Sequence, residues 1–532
     1  MWRSPGGMDF AISWTHTHPA QVLFSHRVGS LIEPLTGRRW DPDDINVEVT
    51  RRLAAYANLG LRTGDVVFIH HGNCLEFFAD LVAVWQLGGC VVPIDPRLTA
   101  FEVGNLATVA GPRFSLWIDT PDPSVVPSLE ALATRIVDTR EVLSRSGVPD
   151  APPADSRLSL DGLATIMFTS GTTGDPKGVV HTHRGLRARW MSLRQAVGTE
   201  RYRKTLLLLP THFGHGLVCN ALFPWLSGCD LFVLPPFRPD IVTQLGSLVD
   251  EHGITFLSSV PAVWRLALRT ARPPTRGTLE RVSCGSAPLS AAMWQQVQSW
   301  TGAREVWNAY GITETASWLC GTSQPGLTPA DGLVGIGWGS TLAVLRSPEA
   351  NPRPAFDEVC APGEPGYVWV NTPALMQGYF RRDDLTRKVV ADGWFFTGDI
   401  GVMTDEGHLV LRGRERDEIN KGGMKVFPAD IDAVLDTAEG VNDVCAFAYE
   451  GDPVYGENIG VAIVMPDATD VRLLAMYRHA GERLAKHQMP VRWYLVEALP
   501  RTARGKINRE LIGTHCASLP QIDWRRIFGS AA

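Results

Sequence analysis

Residues 168–178 read Phe-Thr-Ser-Gly-Thr-Thr-Gly-Asp-Pro-Lys-Gly and close an apolar run that starts at Leu163. Thr169, Ser170, Thr172 and Thr173 carry hydroxyls, and Lys177 adds a positive charge. Gly171 and Gly174 let the backbone turn back and present N–H groups. Such a set can surround phosphate oxygens. The closing Gly-Lys-Ser/Thr of a Walker A loop is missing, which disfavours a P-loop kinase. A Gly/Thr surface turn is the plain alternative, but turns with this order of Ser, Thr, Gly, Pro and Lys are not common. Four later segments carry further polar groups: Asn308-Ala309-Tyr310-Gly311-Ile312-Thr313-Glu314-Thr315, Gly393-Trp394-Phe395-Phe396-Thr397-Gly398-Asp399, Gly413-Arg414-Glu415-Arg416-Asp417 and Pro500-Arg501-Thr502-Ala503-Arg504-Gly505-Lys506. Read alone, Asp399 could cap a turn and Arg414 could form a surface ion pair of little energy. Lys506 could be a solvated member of a basic tail with Arg501, Arg504 and Arg509.

Taken together and in this order, the five segments resemble the motifs of the adenylate-forming superfamily. That superfamily contains acyl-CoA synthetases, luciferases and peptide-synthetase adenylation domains. The resemblance spans about residue 60 to about residue 510 and is most like free-standing acyl- or aryl-CoA ligases. It implies an ATP-dependent, AMP-forming carboxylic acid ligase. Acid and MgATP would give acyl-adenylate and pyrophosphate. A thiol, expected to be CoA, would then take the acyl group and release AMP. An acid–carrier-protein ligase, loading a pantetheinylated acyl or peptidyl carrier, shares the first step. A non-catalytic nucleotide-binding regulator is a further alternative; it predicts decay of Lys506, Glu314 or Asp399, and all three are present.

The resemblance also implies roles for single residues. Nucleotide contacts fall on Thr169, Ser170, Gly171, Thr172, Thr173, Gly174, Lys177, Gly285, Ser286, Ala287, Asn308, Ala309, Tyr310, Gly311, Asp399 and Arg414. Tyr310 offers a flat face for adenine, and Thr313 a donor to the α-phosphate. Glu314, the one metal ligand implied, is a hard oxygen donor suited to Mg²⁺. Asp399 can accept from both ribose hydroxyls, and Arg414 can reach the same sugar across a hairpin. Thr313, Glu314 and Lys506 form the implied catalytic set. A carboxylate attacking an α-phosphate gathers negative charge, and a preorganised ammonium stabilises that transition state more than the ground state. Lysine, a compact charge on a flexible stem, can act from a domain that arrives and leaves. Arg416 is the implied hinge, where the family commonly has Asp or Lys. Gly422, Gly423 and Lys425 are the implied thiol or CoA contacts, the glycines letting a pantetheine arm pass close to backbone.

The acid pocket is expected around Leu209-Pro210-Thr211-His212-Phe213-Gly214-His215-Gly216-Leu217, where the family often places a gating aromatic or histidine. The residues do not choose between His212 and His215, and either could be an ordinary packed histidine. His212, Phe213, His215, Gly216, Gly285, Thr315 and Ala316 are the candidate walls; many are small, which predicts a roomy pocket. Amino-acid-activating relatives carry an aspartate here, whereas 209–217 has no acidic residue. An unpaired ammonium in an apolar pocket costs several kcal/mol. The acid is therefore expected to be neutral apart from its carboxylate, aryl or medium-chain in type.

Positioning these groups needs a scaffold. Strand-like runs at 66–69 and 90–94 flank an apolar helix-like stretch at 75–87, a β-α-β order that implies a parallel sheet covered by helices. Pro and Asp at 149–155 read as a linker. A second β/α stretch runs from about 205 to 320, and from 332 to 412 short strands alternate with turns, including a hairpin at 395–403 and 408–411. After 416, helices at 428–437 and 471–487 and strands at 444–449, 458–465 and 492–497 read as a small α+β unit. The expected fold is a large α/β N-terminal domain, 1–415, with two β/α sheet subdomains and a small β-barrel-like part. A small mobile α+β C-terminal domain, 416–532, would carry Lys506, with no carrier domain after it.

At 532 residues the chain is too long for one simple domain. Lys plus Arg is 50 and Asp plus Glu 56, a net charge of −6, which argues against nucleic acid as a partner. No apolar signal region follows Met1, and no run of about 18 apolar residues offers a membrane span. The nine cysteines are scattered without a C-x-x-C pair, as expected of buried thiols in a reducing cytoplasm. A monomer or homodimer acting on a small carboxylic acid fits these bounds.

Overall fold

The computed structural model describes residues 28–145, 159–169, 176–235, 238–348, 354, 356–421, 424–452, 456–501 and 507–530. The 149–155 linker lies outside them. Three sheets organise these residues. In the first, the strands Val66–Ile69, Cys90–Pro93, Phe114–Trp117 and Arg135–Asp138 pair in parallel, and Cys90–Pro93 also pairs in parallel with Leu163–Thr169. Both faces are covered, so Val66–Ile69 and Cys90–Pro93 are apolar and buried throughout. The crossover helix Leu75–Gln86 buries every residue except Glu76, matching its lack of a polar face. Leu163–Thr169 turns back on Lys177–Thr182 as an antiparallel hairpin, with Thr169 opposite Lys177. Residues 170–175 of the phosphate-loop sequence fall between these two strands in the chain and lie outside the described residues.

The second sheet has a parallel half built from Lys204–Leu207, Asp230–Val233, Phe256–Ser259, Arg281–Gly285 and Glu305–Ile312. The antiparallel strands of the 332–412 region do not stand apart from it. They continue the same sheet through Ser317–Gly321 and Leu333–Gly337, because Glu305–Ile312 folds back on Ser317–Gly321 and hands on a free edge. The expected hairpin is present as Trp394–Met403 with Leu409–Arg414, and Gly407 in its turn has φ 77°.

The third sheet holds Ile419–Lys421, Met424–Val426, Asp443–Asp452, Gly456–Val464 and Arg492–Leu495. Ile419, Ile431, Val461, Trp493 and Ile527 belong to a core drawn from this segment alone. The helix Asp470–Arg483 starts at the Thr469 cap, whose side chain accepts from the Arg472 N–H. It ends four residues before the expected 487, where Leu484 turns extended (ψ 140°) and buries its side chain. All nine cysteines are free thiols, eight of them buried. No described helix is long and apolar enough to cross a membrane.

Candidate active site

The turn after Glu305–Ile312 carries the densest set of candidates. Thr313–Thr315 form one turn of 3₁₀-helix, followed by Ala316 and Ser317 at φ 52° and 74°. Two successive left-handed residues that are not glycine cost of order 1–3 kcal/mol each, so their surroundings must hold them. They do. The buried His181 ring nitrogen Nε2 lies 2.8 Å from the Thr313 carbonyl oxygen, and the Met376 N–H donates to the Glu314 carbonyl at 2.7 Å. Arg189, wholly buried, donates to the Thr315 carbonyl (3.0 and 3.2 Å), the Trp338 carbonyl (2.9 Å) and Thr372 Oγ1 (3.2 Å). Burial pushes the His181 imidazole down to about 4, so it sits neutral and donates from Nε2. Burial also pulls the Arg189 guanidinium down, to about 10, leaving it charged at neutral pH.

Glu314 is then reached from the other sheet. The Tyr379 hydroxyl donates to Glu314 Oε1 at 2.8 Å, and the Lys177 ammonium lies 5.7 Å from the Tyr379 ring centroid. Burial, and then the Glu314 carboxylate, push the Tyr379 phenol well above its ordinary range, so it remains a donor. Glu314 keeps Oε2 for other partners. One carboxylate oxygen left at a turn suits an Mg²⁺ ion that keeps its waters and shares phosphate oxygens. Among the described residues no group of three or more His, Cys, Asp or Glu forms a metal cage.

Asp399 and Arg414 stand directly opposite each other across their hairpin, with Arg414 Nε 2.9 Å from Asp399 Oδ1. The Tyr310 hydroxyl donates to Asp399 Oδ2, a role beyond the flat face expected of that ring. The nearby Asp399 carboxylate raises the Arg414 guanidinium, overcoming burial, and Tyr310 and Glu314 add to the effect. Arg414 thus senses both the Asp399 pair and the Glu314 turn.

Around 209–217 the two histidines separate. His212 Nε2 lies 3.3 Å from Asp95 Oδ2. His215, 2% exposed, sits with Nδ1 2.9 Å from Ser286 Oγ and Nε2 2.7 Å from Ser258 Oγ. The structure therefore joins His215 to the Gly285–Ser286 wall and sends His212 to the first sheet. An acidic residue does stand here, contrary to the reading of 209–217 alone: Asp95 arrives from the end of the first sheet. Burial pushes its carboxyl up, but Arg97 and His212 outweigh that and hold it below the usual range. Asn73 pins the same loop, donating to the Leu209 carbonyl (3.0 Å) and accepting from the Thr211 N–H (2.8 Å).

Three candidate glycines, two from the expected acid pocket and one from the adenine motif, leave room for neighbouring backbone. A Cβ on Gly285 would lie 2.3 Å from the Ala309 carbonyl oxygen, on Gly216 2.1 Å from that of Pro210, and on Gly311 2.2 Å from that of Ser317. Asn308 is buried and spans to the Leu333 carbonyl (2.8 Å). Phe213 and Thr315 are buried, and Ala287 follows Ser286, itself held at φ 66°. Ser170, Gly171, Thr172, Thr173, Gly174, Gly422, Gly423 and Lys506 lie outside the described residues, and for Arg416 and Lys425 only the backbone is described. His181, Arg189, Tyr379, Asp95 and Asn73 went unmarked in the sequence.

Fold and site define an ATP-using, adenylate-forming enzyme. Residues 47–380 match the AMP-binding enzyme family, and the chain belongs to it. Feruloyl-CoA synthase of Amycolatopsis sp is 30% identical over 477 residues, covering 86% of this chain and 91% of that protein. Long-chain-fatty-acid–CoA ligase FadD13 of Mycobacterium tuberculosis (strain ATCC 25618 / H37Rv) is 29% identical, covering 94% and 97%. The crystal structure of ATP-bound MatB from Rhodopseudomonas palustris shares the fold with a TM-score of 0.82 at 24% identity, covering 94% of this chain and 98% of that one. The protein is accordingly an AMP-forming acid–thiol ligase.

Proposed function

We propose that the chain joins an aryl or medium-chain carboxylic acid to CoA in two steps. One observation carries this reading: Lys177 and Glu314 meet at Tyr379, Tyr310 joins the Asp399–Arg414 pair, and Arg414 feels the Glu314 charge, an arrangement that suits phosphate, metal and ribose. In the first step an acid carboxylate oxygen attacks the α-phosphorus of MgATP and pyrophosphate leaves. Lys506 offsets the charge that gathers on the phosphoryl oxygens. In the second step the thiol sulfur attacks the acyl carbonyl, AMP leaves, and the thiol proton passes to solvent. Residues 1–415 form the platform, 416–532 the unit that turns about Arg416, and 421–426 the strip that meets the pantetheine arm. The buried core private to the third sheet supports that division. The absence of a long apolar helix among the described residues suits a cytoplasmic enzyme.

For the acid, Asp95 is engaged by Arg97 and His212, so an α-ammonium there would have to displace a cation. A pyrophosphate-release screen over aryl, short-, medium- and long-chain acids and α-amino acids tests this. Aryl or medium-chain acids are expected to be fastest; fastest release with an α-amino acid overturns the reading.

Two substitutions test the nucleotide assignments. Hydrogen bonds to charged groups contribute about 1.5–3 kcal/mol. Asp399→Ala is therefore expected to raise the KM for ATP by about tenfold or more, and Glu314→Ala to raise the Mg²⁺ requirement. Initial rates against ATP and Mg²⁺ in folded variants read this out, and unchanged dependences sink the two roles.

A further inference from the structure

The helix Pro261–Thr270 follows the strand Phe256–Ser259, which carries Ser258 of the His215 cluster. Its polar side faces the third sheet. Arg265 Nη2 lies 3.1 Å from Asp436 Oδ1, and Arg265 Nη1 lies 3.3 Å from Asp443 Oδ1. One turn on, Arg269 Nη2 lies 3.1 Å from both the Asn442 carbonyl oxygen and Asn442 Oδ1. Asp436 ends the helix Pro428–Leu435, and Asp443 opens the strand Asp443–Asp452.

Asp443 has a second partner. Its Oδ2 takes the Arg501 guanidinium, so one carboxylate joins Arg265 to Arg501. The side chains of Arg265, Asp436, Asp443 and Arg501 are each a quarter exposed or less. Arg501 in turn pairs as an isolated antiparallel bridge with Ile507, the residue after Lys506. Beyond it, Arg509 Nη2 lies 2.7 Å from Asp432 Oδ2 and Nη1 2.6 Å from the Ala446 carbonyl oxygen. Lys506 is therefore flanked in the chain by two anchored arginines. One anchor is shared with a helix of the platform.

We infer that Arg265 is a positioning residue for adenylation: through Asp443 and Arg501 it fixes the base of the Lys506 segment against the platform. The inference rests on the role proposed for Lys506. Turning 416–532 about Arg416 must break the Arg265–Asp436 and Arg265–Asp443 pairs, because they cross from one unit to the other. The pairs therefore favour the latched arrangement over the turned one by their own interaction energy. Partly exposed pairs of this kind shift an equilibrium by a modest factor, not by orders of magnitude. Reversing the charge at Arg265 faces a carboxylate toward Asp436 and Asp443, so it disfavours the latched arrangement further.

The test uses the full chain with Arg265→Ala, Arg265→Glu and Arg265→Lys, and Lys506→Ala as reference. Single-turnover acyl-AMP formation from acid and MgATP is measured apart from thioester formation from synthetic acyl-AMP and CoA. Arg265→Ala is expected to slow adenylation about three- to tenfold, and Arg265→Glu to slow it more. Arg265→Lys should restore most of the rate, and none of the three should slow the thioester step. A merely structural arginine would slow both steps together, and that result overturns the inference. So does full-rate adenylation by Arg265→Ala where Lys506→Ala is slow; the Lys506 role then stands and the latch alone falls. If Lys506→Ala also adenylates at full rate, the reading beneath the latch fails and the latch fails with it.

Discussion

Lys506→Ala is expected to lose about 2–4 kcal/mol of transition-state stabilisation in acyl-adenylate formation, the range for removing one preorganised electrostatic donor. At 1.36 kcal/mol per decade that is roughly 30- to 1,000-fold in rate. Conversion of synthetic acyl-AMP and CoA to thioester should keep its rate, because Lys506 belongs to the unit proposed to turn away from the phosphate before that step. The asymmetry follows from position, since AMP also gains negative charge as it leaves in the second step. In the first step two anions meet, and the attacked phosphoryl group gains negative charge as pyrophosphate departs. In the second the attacked centre is a neutral carbonyl. An ammonium held at the phosphate only while the first step runs therefore acts on one barrier and not the other. Rapid-quench single turnovers of each step, in the variant and the parent chain, give the two rates. Equal slowing of both steps would mean that Lys506 is structural, or that the two units do not exchange positions, and the two-step arrangement fails.

The nucleotide motifs are legible in the sequence because each packs its chemistry into a short stretch. Thr169 and Lys177 face each other across one hairpin, and so do Asp399 and Arg414, so local pairing alone brings them together. The residues that hold them are not local. His181 reaches Thr313, Arg189 reaches Thr315 and Tyr379 reaches Glu314 over separations of 132, 126 and 65 residues. No spacing rule marks such a partner before the sheets are assembled. The two histidines of 209–217 show the same limit. What separates His212 from His215 is Asp95 on one side and Ser258 with Ser286 on the other, all from distant strands. What the glycines make room for is hidden for a related reason. A missing side chain signals close approach, but the approaching group at Gly285, Gly216 and Gly311 is backbone, and only the folded chain shows it.

Asp80→Ala is expected to destabilise the fold by about 3–5 kcal/mol, the cost of leaving a buried charge without its partner. Asp80 lies on the helix Leu75–Gln86, wholly buried, and its oxygens serve three groups: Arg52 Nε at 2.6 Å, the Tyr56 hydroxyl and His71 Nε2. Arg52 is 2% exposed and also reaches Glu48, one turn before it on Pro42–Asn58. Alanine at 80 would leave that guanidinium buried with Glu48 as its remaining carboxylate, and would take the acceptor from Tyr56 and His71. Against a typical domain stability of about 5–15 kcal/mol, the loss is large. The penalty belongs to the buried guanidinium's loss of its nearer carboxylate, so Asp80→Leu combined with Arg52→Met should recover part of it by replacing the pair with apolar volume. Burial pushes the Asp80 carboxyl up, but Arg52, His71 and Tyr56 outweigh burial and hold it below its ordinary value of 3.8. A depressed folded-state pKa adds stability that is complete above the unfolded value. That stability is lost as pH falls through the folded one. The gap between parent and Asp80→Ala should therefore be full at pH 7 and shrink once the pH drops below about 4. Urea midpoints of the parent, the single variant and the double variant at both pH values measure it. A single variant as stable as the parent at pH 7, or a double variant no better than the single one, would show that the Arg52–Asp80 pair does not anchor these two helices.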